Sequence, residues 1–400
     1  MSDGNATSPS AKANYAEVLL AFNCAMVLVL VLVAINLCVL PLIKNMSGTR
    51  VIVVYWATGQ QLVHHGNPYD PLALGQLEHA AGFTGTSTYY MRNPPWSLPL
   101  VLPLGLISAR IAALPWLLLL LGIQFLSVRL LWKMLGRPAH RLHWLGYSFT
   151  PAVLCVLMGQ TSLFLLLGMV LFLSLHRTNP FWAGAALWFC SLKPHVLLPF
   201  AVALLLWIVT ERAWKVLAGA LAAMAASCAL TEWIDPSAWS QYAQWAHNSG
   251  ISREFIPCLA VVLRNSIHPA WSGLVFLPAV LGCAWAAVYF WRKRAHWDWI
   301  ADGGLLTLVS LVVAPYCWIY DQSLALPALL FAAFHTRSRP LLATVVVACI
   351  AINLQTYCGL PLCSAAYLWS APVWLAWYLL ARRTAHTDQA GFIPLSLPPA

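Results

Sequence analysis

The sequence predicts an all-α polytopic membrane protein, and three observations carry that prediction. Hydrophobic residues make up 61% of the 400-residue chain and charged residues only 8%, against the ~25% charged of a soluble domain. Runs of roughly 20 apolar residues recur along it, the length at which a helix crosses a hydrocarbon core. These runs are continuous rather than alternating, which excludes a transmembrane β-barrel.

Taken in order, residues 1–17 are polar and lack the basic region and cleavage site of a signal peptide; they read as a cytoplasmic N-terminus. The apolar run at about 18–43 is too long for a signal-peptide core and reads as a retained signal anchor. The longest polar interval, 44–97, follows and reads as the folded main extracytoplasmic loop. Further spans are expected at about 110–132, 144–158, 162–176, 180–192, 195–210, 216–231, 271–291, 299–315, 322–335, 340–356 and 364–381, twelve in all. Two shorter Pro-bounded apolar pieces, about 96–108 and 255–267, read as re-entrant or interfacial helices. Residues 18–382 thus form a single integral-membrane domain, and the Pro-rich 383–400 a disordered cytoplasmic tail.

Positive charge orients the bundle. With both termini inside, the clusters Lys133/Arg137/Arg141, Arg177, Arg212/Lys215, Arg292-Lys293-Arg294, Arg337/Arg339 and Arg382-Arg383 all fall in the cytoplasm. The net charge of +10 is therefore topological. It is scattered over short loops rather than gathered on one face, so the partner is the lipid bilayer and not a nucleic acid. Nine of the eleven cysteines lie in or beside apolar segments, where thiols behave as small hydrophobes. Only Cys358 and Cys363 share a loop, and a disulfide between them stays open. No zinc spacing, P-loop, Rossmann glycine pattern or G-x-S-x-G motif occurs, so no metal or cofactor is expected.

The chain has only twelve Asp and Glu, and six of them fall on the extracytoplasmic side: Asp70, Glu78, Glu232, Asp235, Glu254 and Asp321. A carboxylate base acting there comes from this set. Asp70 ends the rigid turn Asn67-Pro68-Tyr69-Asp70-Pro71 and reads either as a turn cap or as the leading acid. Asp321 sits at the lip of two spans, where an acid is costly; it marks a site or caps the next helix. Glu78, beside His79 on an amphipathic piece, reads as solvated, and Glu232, Asp235 and Glu254 as loop or boundary residues. Among cations, Lys193 in Lys193-Pro194-His195 interrupts apolar sequence and either binds a phosphate as a point charge or snorkels to an interface. Arg92 and Arg264 are further phosphate candidates, since a guanidinium can fork onto its oxygens. Gln160, in the turn Gly159-Gln160-Thr161, binds a sugar hydroxyl or merely closes the turn.

Ordered along the chain, Tyr55-Trp56, Gly66-Asn67-Pro68-Tyr69-Asp70, Asn93-Pro94-Pro95-Trp96, Gly159-Gln160-Thr161, Ala183-Gly184 with Leu192-Lys193-Pro194, and Ala314-Pro315 with Trp318 and Tyr320-Asp321-Gln322 resemble glycosyltransferase family 87. The resemblance spans about residues 18–380. It implies a GT-C-like bundle related to polyprenyl-phosphate-mannose-dependent α-mannosyltransferases of a bacterial cytoplasmic (inner) membrane. Such an enzyme takes a polyprenyl-phosphate-linked sugar as donor and a hydroxyl of a glycolipid or glycan as acceptor, with an extracytoplasmic active site. It inverts the anomeric centre by direct displacement: one carboxylate deprotonates the acceptor, and a cation such as Lys193 neutralises the leaving phosphate. Tyr69, Trp96, His195 and Tyr320 join Lys193, Arg92, Arg264 and Gln160 as implied substrate-binding residues. One position departs from the family. The acid it commonly carries just before the aromatic pair falls on Val51, so the base is Asp70 or Asp321, or is absent.

Competing readings are a carrier or flippase of a lipid-linked sugar, a polyprenyl-pyrophosphate glycan ligase or polymerase, and a non-catalytic GT-C-like membrane protein. Transporters often carry internal repeats and midplane charge; no repeat is evident here, and the polar groups gather on one side. A ligase would present several arginines on its outer loop, and here the loop has Arg50 and Arg92.

Overall fold

The computed structural model describes residues 51–389 except 85–87, 139–140, 250–253 and 337. The expected N-terminus 1–17, the first span 18–43 with Cys24 and Cys38, the start of the first loop and the tail beyond 389 lie outside the described residues. Every regular element among the described residues is helical.

The interval expected as the first loop contains α1 (Ile52–Val63) and α2 (Pro71–Ala80). α1 does not face solvent, since Ile52 through Gly59 are all buried. It crosses the short apolar piece Pro95–Leu106 at a glycine pair. A Cβ on Gly59 would stand 2.6 Å from the Gly105 nitrogen, and one on Gly105 2.1 Å from the Gly59 backbone. Two residues without Cβ allow this approach. It is fastened by Gln60 Nε2 donating to the Gly105 carbonyl at 2.6 Å and Trp56 Nε1 donating to the Ile107 carbonyl at 2.8 Å.

α3 (Ala109–Met134) has 26 residues, about 39 Å at ~1.5 Å per residue. Next come α4 (Thr150–Met158) and α5 (Ser162–Leu175), joined at Gly159, whose φ of +71° makes it a left-handed C-cap. α5 is buried along nearly its whole length and forms the centre of the bundle. α6 (Pro180–Ala186) and α7 (Leu198–Thr210) are arms of one unit bent by 115° between Pro180–Leu192 and Pro194–Thr210. The spans expected at 180–192 and 195–210 correspond to these two arms, which are together apolar and long enough for one broken span or a re-entrant pair. Tight 3-10 turns at Phe189–Leu192 and Pro194–Leu197, with Pro194 donating no N–H, break the helical ladder between them.

α8 (Trp214–Ile234) packs backbone to backbone on α6, where a Cβ on Gly184 would stand 1.8 Å from the Val216 carbonyl oxygen. α9 (Ala238–Asn248) is short and amphipathic. α10 (Leu259–Ile267), α11 (Leu277–Lys293), α12 (Trp299–Val313), α13 (Leu326–His335), α14 (Arg339–Tyr357) and α15 (Ser370–Gln389) complete the bundle.

Among the described residues, four helices are long and apolar enough to cross a membrane: Ala109–Met134, Trp214–Ile234, Ser272–His296 and Arg339–Tyr357; the bent pair makes a fifth if counted as one span. The expected twelve is therefore not reached among the described residues. The runs expected at 162–176 and 299–315 form helices at nearly those bounds, Ser162–Leu175 and Trp299–Val313, but with 14 and 15 residues they are shorter than a full membrane crossing. Their apolarity serves burial against other helices, and a buried helix is hydrophobic all round whether or not it spans.

Candidate active site

Three chain breaks bring polar groups to one point. The Gly159 cap, closed by the Gln160 N–H on the Cys155 carbonyl at 2.9 Å, puts Gln160, Thr161 and Ser162 at the start of α5. The bend between α6 and α7 carries Lys193 and His195 at its apex. After α12 the chain runs without helix to Trp318, then forms the 3-10 turn Ile319–Ala325, which carries Asp321.

There Lys193 Nζ donates to Asp321 Oδ1 at 2.7 Å, Ser162 Oγ at 2.9 Å and Gln160 Oε1 at 3.3 Å, so all three of its N–H groups are directed at protein. The Ser162 hydroxyl donates to the same Asp321 oxygen at 2.5 Å, and the Trp318 N–H donates to Asp321 Oδ2 at 2.9 Å. The ammonium also lies 4.8 Å from the centre of the Tyr320 ring. Asp321 is 1% exposed and Lys193 12%. Burial of such a pair is tolerable because each charge is neutralised and hydrogen-bonded by the other's neighbours. A carboxylate offers about four acceptor sites. Three are filled here, leaving one on Oδ2.

The cluster lies in the wall of a cavity of about 520 Å³ lined by Tyr55, Tyr89, Tyr90, Tyr242, Tyr316, Trp318 and Tyr320, with Arg92, Asn93, Gln160, His195 and Cys363. Its size and its mixture of apolar walls with a few convergent polar groups suit a small-molecule site. The His195 ring packs on Tyr316 with centroids 3.8 Å apart, and Trp318 and Tyr320 stack within 12° of parallel. Val51 also lines the cavity; an aliphatic wall stands where the resembling family commonly has an acid. A second groove, about 640 Å³ between α6, α8 and the Pro95–Leu106 piece, is lined by apolar side chains and Ser227 and carries no ionisable group.

Of the residues singled out from sequence, Lys193, His195, Arg92, Gln160, Tyr320 and Asp321 meet at this cavity. Asp70 does not. Its carboxylate accepts the Leu72 N–H at 2.9 Å, capping α2 with Pro71 at the first helical position. Tyr69 stands one layer back, its hydroxyl donating to the Asn93 carbonyl at 3.0 Å. Trp96 ties the bent pair in place through its indole N–H on the Ser191 carbonyl at 3.1 Å. Arg264 is buried on α10 against the Asn265 amide, away from the cavity lining. Cys358 and Cys363 are free thiols, so the disulfide left open in that loop is not formed.

Several groups escape sequence reasoning. Ser162 is one, an ordinary polar residue until the turn before it sets its hydroxyl between Lys193 and Asp321. Glu78 is a correction: read as solvated, it is fully buried. Its Oε2 accepts the Tyr89 N–H at 3.0 Å while Oε1 lacks a partner, and burial pushes its carboxyl up from 4.5 to about 7. Among the described residues no group of three or more His, Cys, Asp or Glu is placed to hold a metal ion.

A family model described as glycosyltransferase family 87 matches residues 90–332. No curated protein and no solved structure matches the chain. The matched stretch covers more than half of the chain and carries Arg92, Gln160, Ser162, Lys193, His195, Tyr320 and Asp321, while Asp70 and Val51 lie before it. On that match, this multi-pass membrane protein belongs to glycosyltransferase family 87 and is a membrane glycosyltransferase.

Proposed function

We propose that the protein moves a sugar, mannose or another hexose or pentose, from a polyprenyl-phosphate donor to a hydroxyl of a glycolipid or cell-envelope glycan. The site faces the extracytoplasmic side of a bacterial cytoplasmic membrane, with both chain termini inside. The observation that carries this reading is the Asp321–Lys193 pair in the wall of an aromatic cavity, with one acceptor site left on the carboxylate. Aromatic faces such as Trp318 and Tyr320 suit the C–H surface of a pyranose ring, and Gln160 and Asn93 offer groups for its hydroxyls.

In the transfer, Asp321 takes the proton of the acceptor hydroxyl as the acceptor oxygen bonds to the anomeric carbon. The bond from that carbon to the phosphate oxygen breaks, its electron pair leaves with the polyprenyl phosphate, and the configuration inverts. Arg92 and Lys193 stabilise the charge that gathers on the leaving phosphate. Asp321 thus takes the role that sequence divided between it and Asp70.

The test is transfer from synthetic polyprenyl-phosphate sugars by the purified chain in nanodiscs. Asp321→Asn is expected to lower the rate by about 10²- to 10⁴-fold, and Asp70→Asn to leave it within about threefold. Wild type transferring nothing from any such donor, or Asp321→Asn transferring at full rate, would overturn the assignment.

A further inference from the structure

Arg92 is the cavity-lining cation with no bond to Asp321, and its orientation is set from outside the cavity. Its Nη1 donates to Glu254 Oε2 at 2.9 Å and its Nη2 to Oε1 at 3.1 Å, a two-pronged pair across 162 positions of sequence. Glu254 does not line the cavity. We infer that Glu254 is a positioning residue for glycosyl transfer, holding the Arg92 guanidinium in the plane from which it meets the donor's phosphate. This rests on the donor reading above and extends it to a residue outside the cavity.

End-on pairing occupies one hydrogen on each terminal nitrogen. It leaves the Nε–H and two further N–H groups of Arg92 for a second acceptor, so the guanidinium can face phosphate oxygens without leaving Glu254. The side chains are 33% and 36% exposed, and a pair that open adds little to stability. What two parallel bonds do supply is a fixed plane.

Glu254 is itself anchored to the wall that bears Asp321. Two residues on, Ile256 is buried, and the Cys258 thiol donates to the Pro315 carbonyl at 3.6 Å. Pro315 leads directly into Tyr316, Trp318 and Asp321. The chain of contacts therefore ties Arg92 to the segment that carries the acid. Neighbouring acids do nothing comparable. Glu232 accepts the indole N–H of Trp239 and Asp235 accepts from Ser237, contacts seven and two residues away.

The test titrates the purified full chain in nanodiscs with undecaprenyl phosphate, and with undecaprenol as the phosphate-free control. Arg92→Ala is expected to weaken undecaprenyl phosphate binding roughly tenfold and Glu254→Gln roughly three- to tenfold. The double variant should bind no more weakly than Arg92→Ala, because both act through one guanidinium. Undecaprenol binding should be unchanged in all three, a readout that a general structural defect would move. Glu254→Gln binding like wild type while Arg92→Ala is weakened overturns the inference alone. So do losses that multiply in the double variant, or a matching loss of undecaprenol binding. Wild type binding undecaprenyl phosphate no better than undecaprenol overturns the donor reading and this inference with it.

Discussion

Two lysine–aspartate pairs lie among the described residues of this bundle, and near the charges they are built alike. Asp321 accepts from Lys193, Ser162 and the Trp318 N–H; Asp302 accepts from Lys293 at 2.8 Å, the Tyr289 hydroxyl at 2.7 Å and the Asp298 N–H at 3.3 Å. Each ammonium also lies over a tyrosine ring, at 4.8 Å for Lys193 on Tyr320 and 5.3 Å for Lys293 on Tyr289. The difference is in the surroundings. The Asp321 pair is nearly buried and lines the aromatic cavity, whereas Lys293 is 43% exposed and Asp302 lines neither cavity. A buried, satisfied carboxylate is therefore not in itself a catalytic feature. It becomes a candidate when space for a substrate adjoins it.

The sharpest way to break the comparison is to neutralise each acid in turn. Asp321→Asn is expected to abolish most transfer, by about 10²- to 10⁴-fold, while Asp302→Asn keeps the rate within about threefold and shows mainly a lowered Tm. Transfer rates and melting curves on the same preparations decide. Equal loss of activity in the two variants would erase the distinction drawn here.

Removing the cations probes burial rather than chemistry. Lys193→Met leaves the buried Asp321 carboxylate without its counter-charge, at an expected cost of about 3–5 kcal/mol. Lys293→Met leaves the buried Asp302 without a half-exposed counter-charge, at a smaller expected cost because water reaches the ammonium side of that pair. Denaturant unfolding in a fixed detergent would compare them, and equal costs would mean that the two ends are equally wet.

The same contrast explains what was legible in the sequence. Lys193, Gln160 and Asp321 stand out because a polar residue inside apolar sequence is costly, and that cost is visible without a structure. The all-helical membrane class was legible for the same reason, from hydropathy alone. Asp70 was not resolved, because a catalytic acid and a helix cap share one local signature, an Asp followed by Pro. Only its distance from the cavity separates them. Glu254 was read as a boundary residue because its partner is 162 positions away. The number of spans is less legible, because hydropathy reports burial, and a helix buried by its neighbours and one immersed in lipid look the same.

Glu78 extends the comparison to a buried acid with no lysine at all. Its folded carboxyl lies at about 7, above the ordinary 4.5, because burial disfavours the anion and one oxygen has no partner. The folded chain therefore holds this proton more tightly than the unfolded chain does. The resulting stability is fully present below about pH 4.5 and is lost as pH rises through 7. Glu78→Gln removes the ionisation while keeping an acceptor for the Tyr89 N–H. Its Tm should match wild type near pH 4, exceed it increasingly up to pH 7, and stay about 2 °C higher at pH 8. A Tm difference that does not change with pH would show that the carboxyl titrates normally, with water reaching the oxygen that now lacks a partner. The effect is the smallest of the set because no counter-charge is lost. An acid that can take up a proton relieves the cost of its own burial.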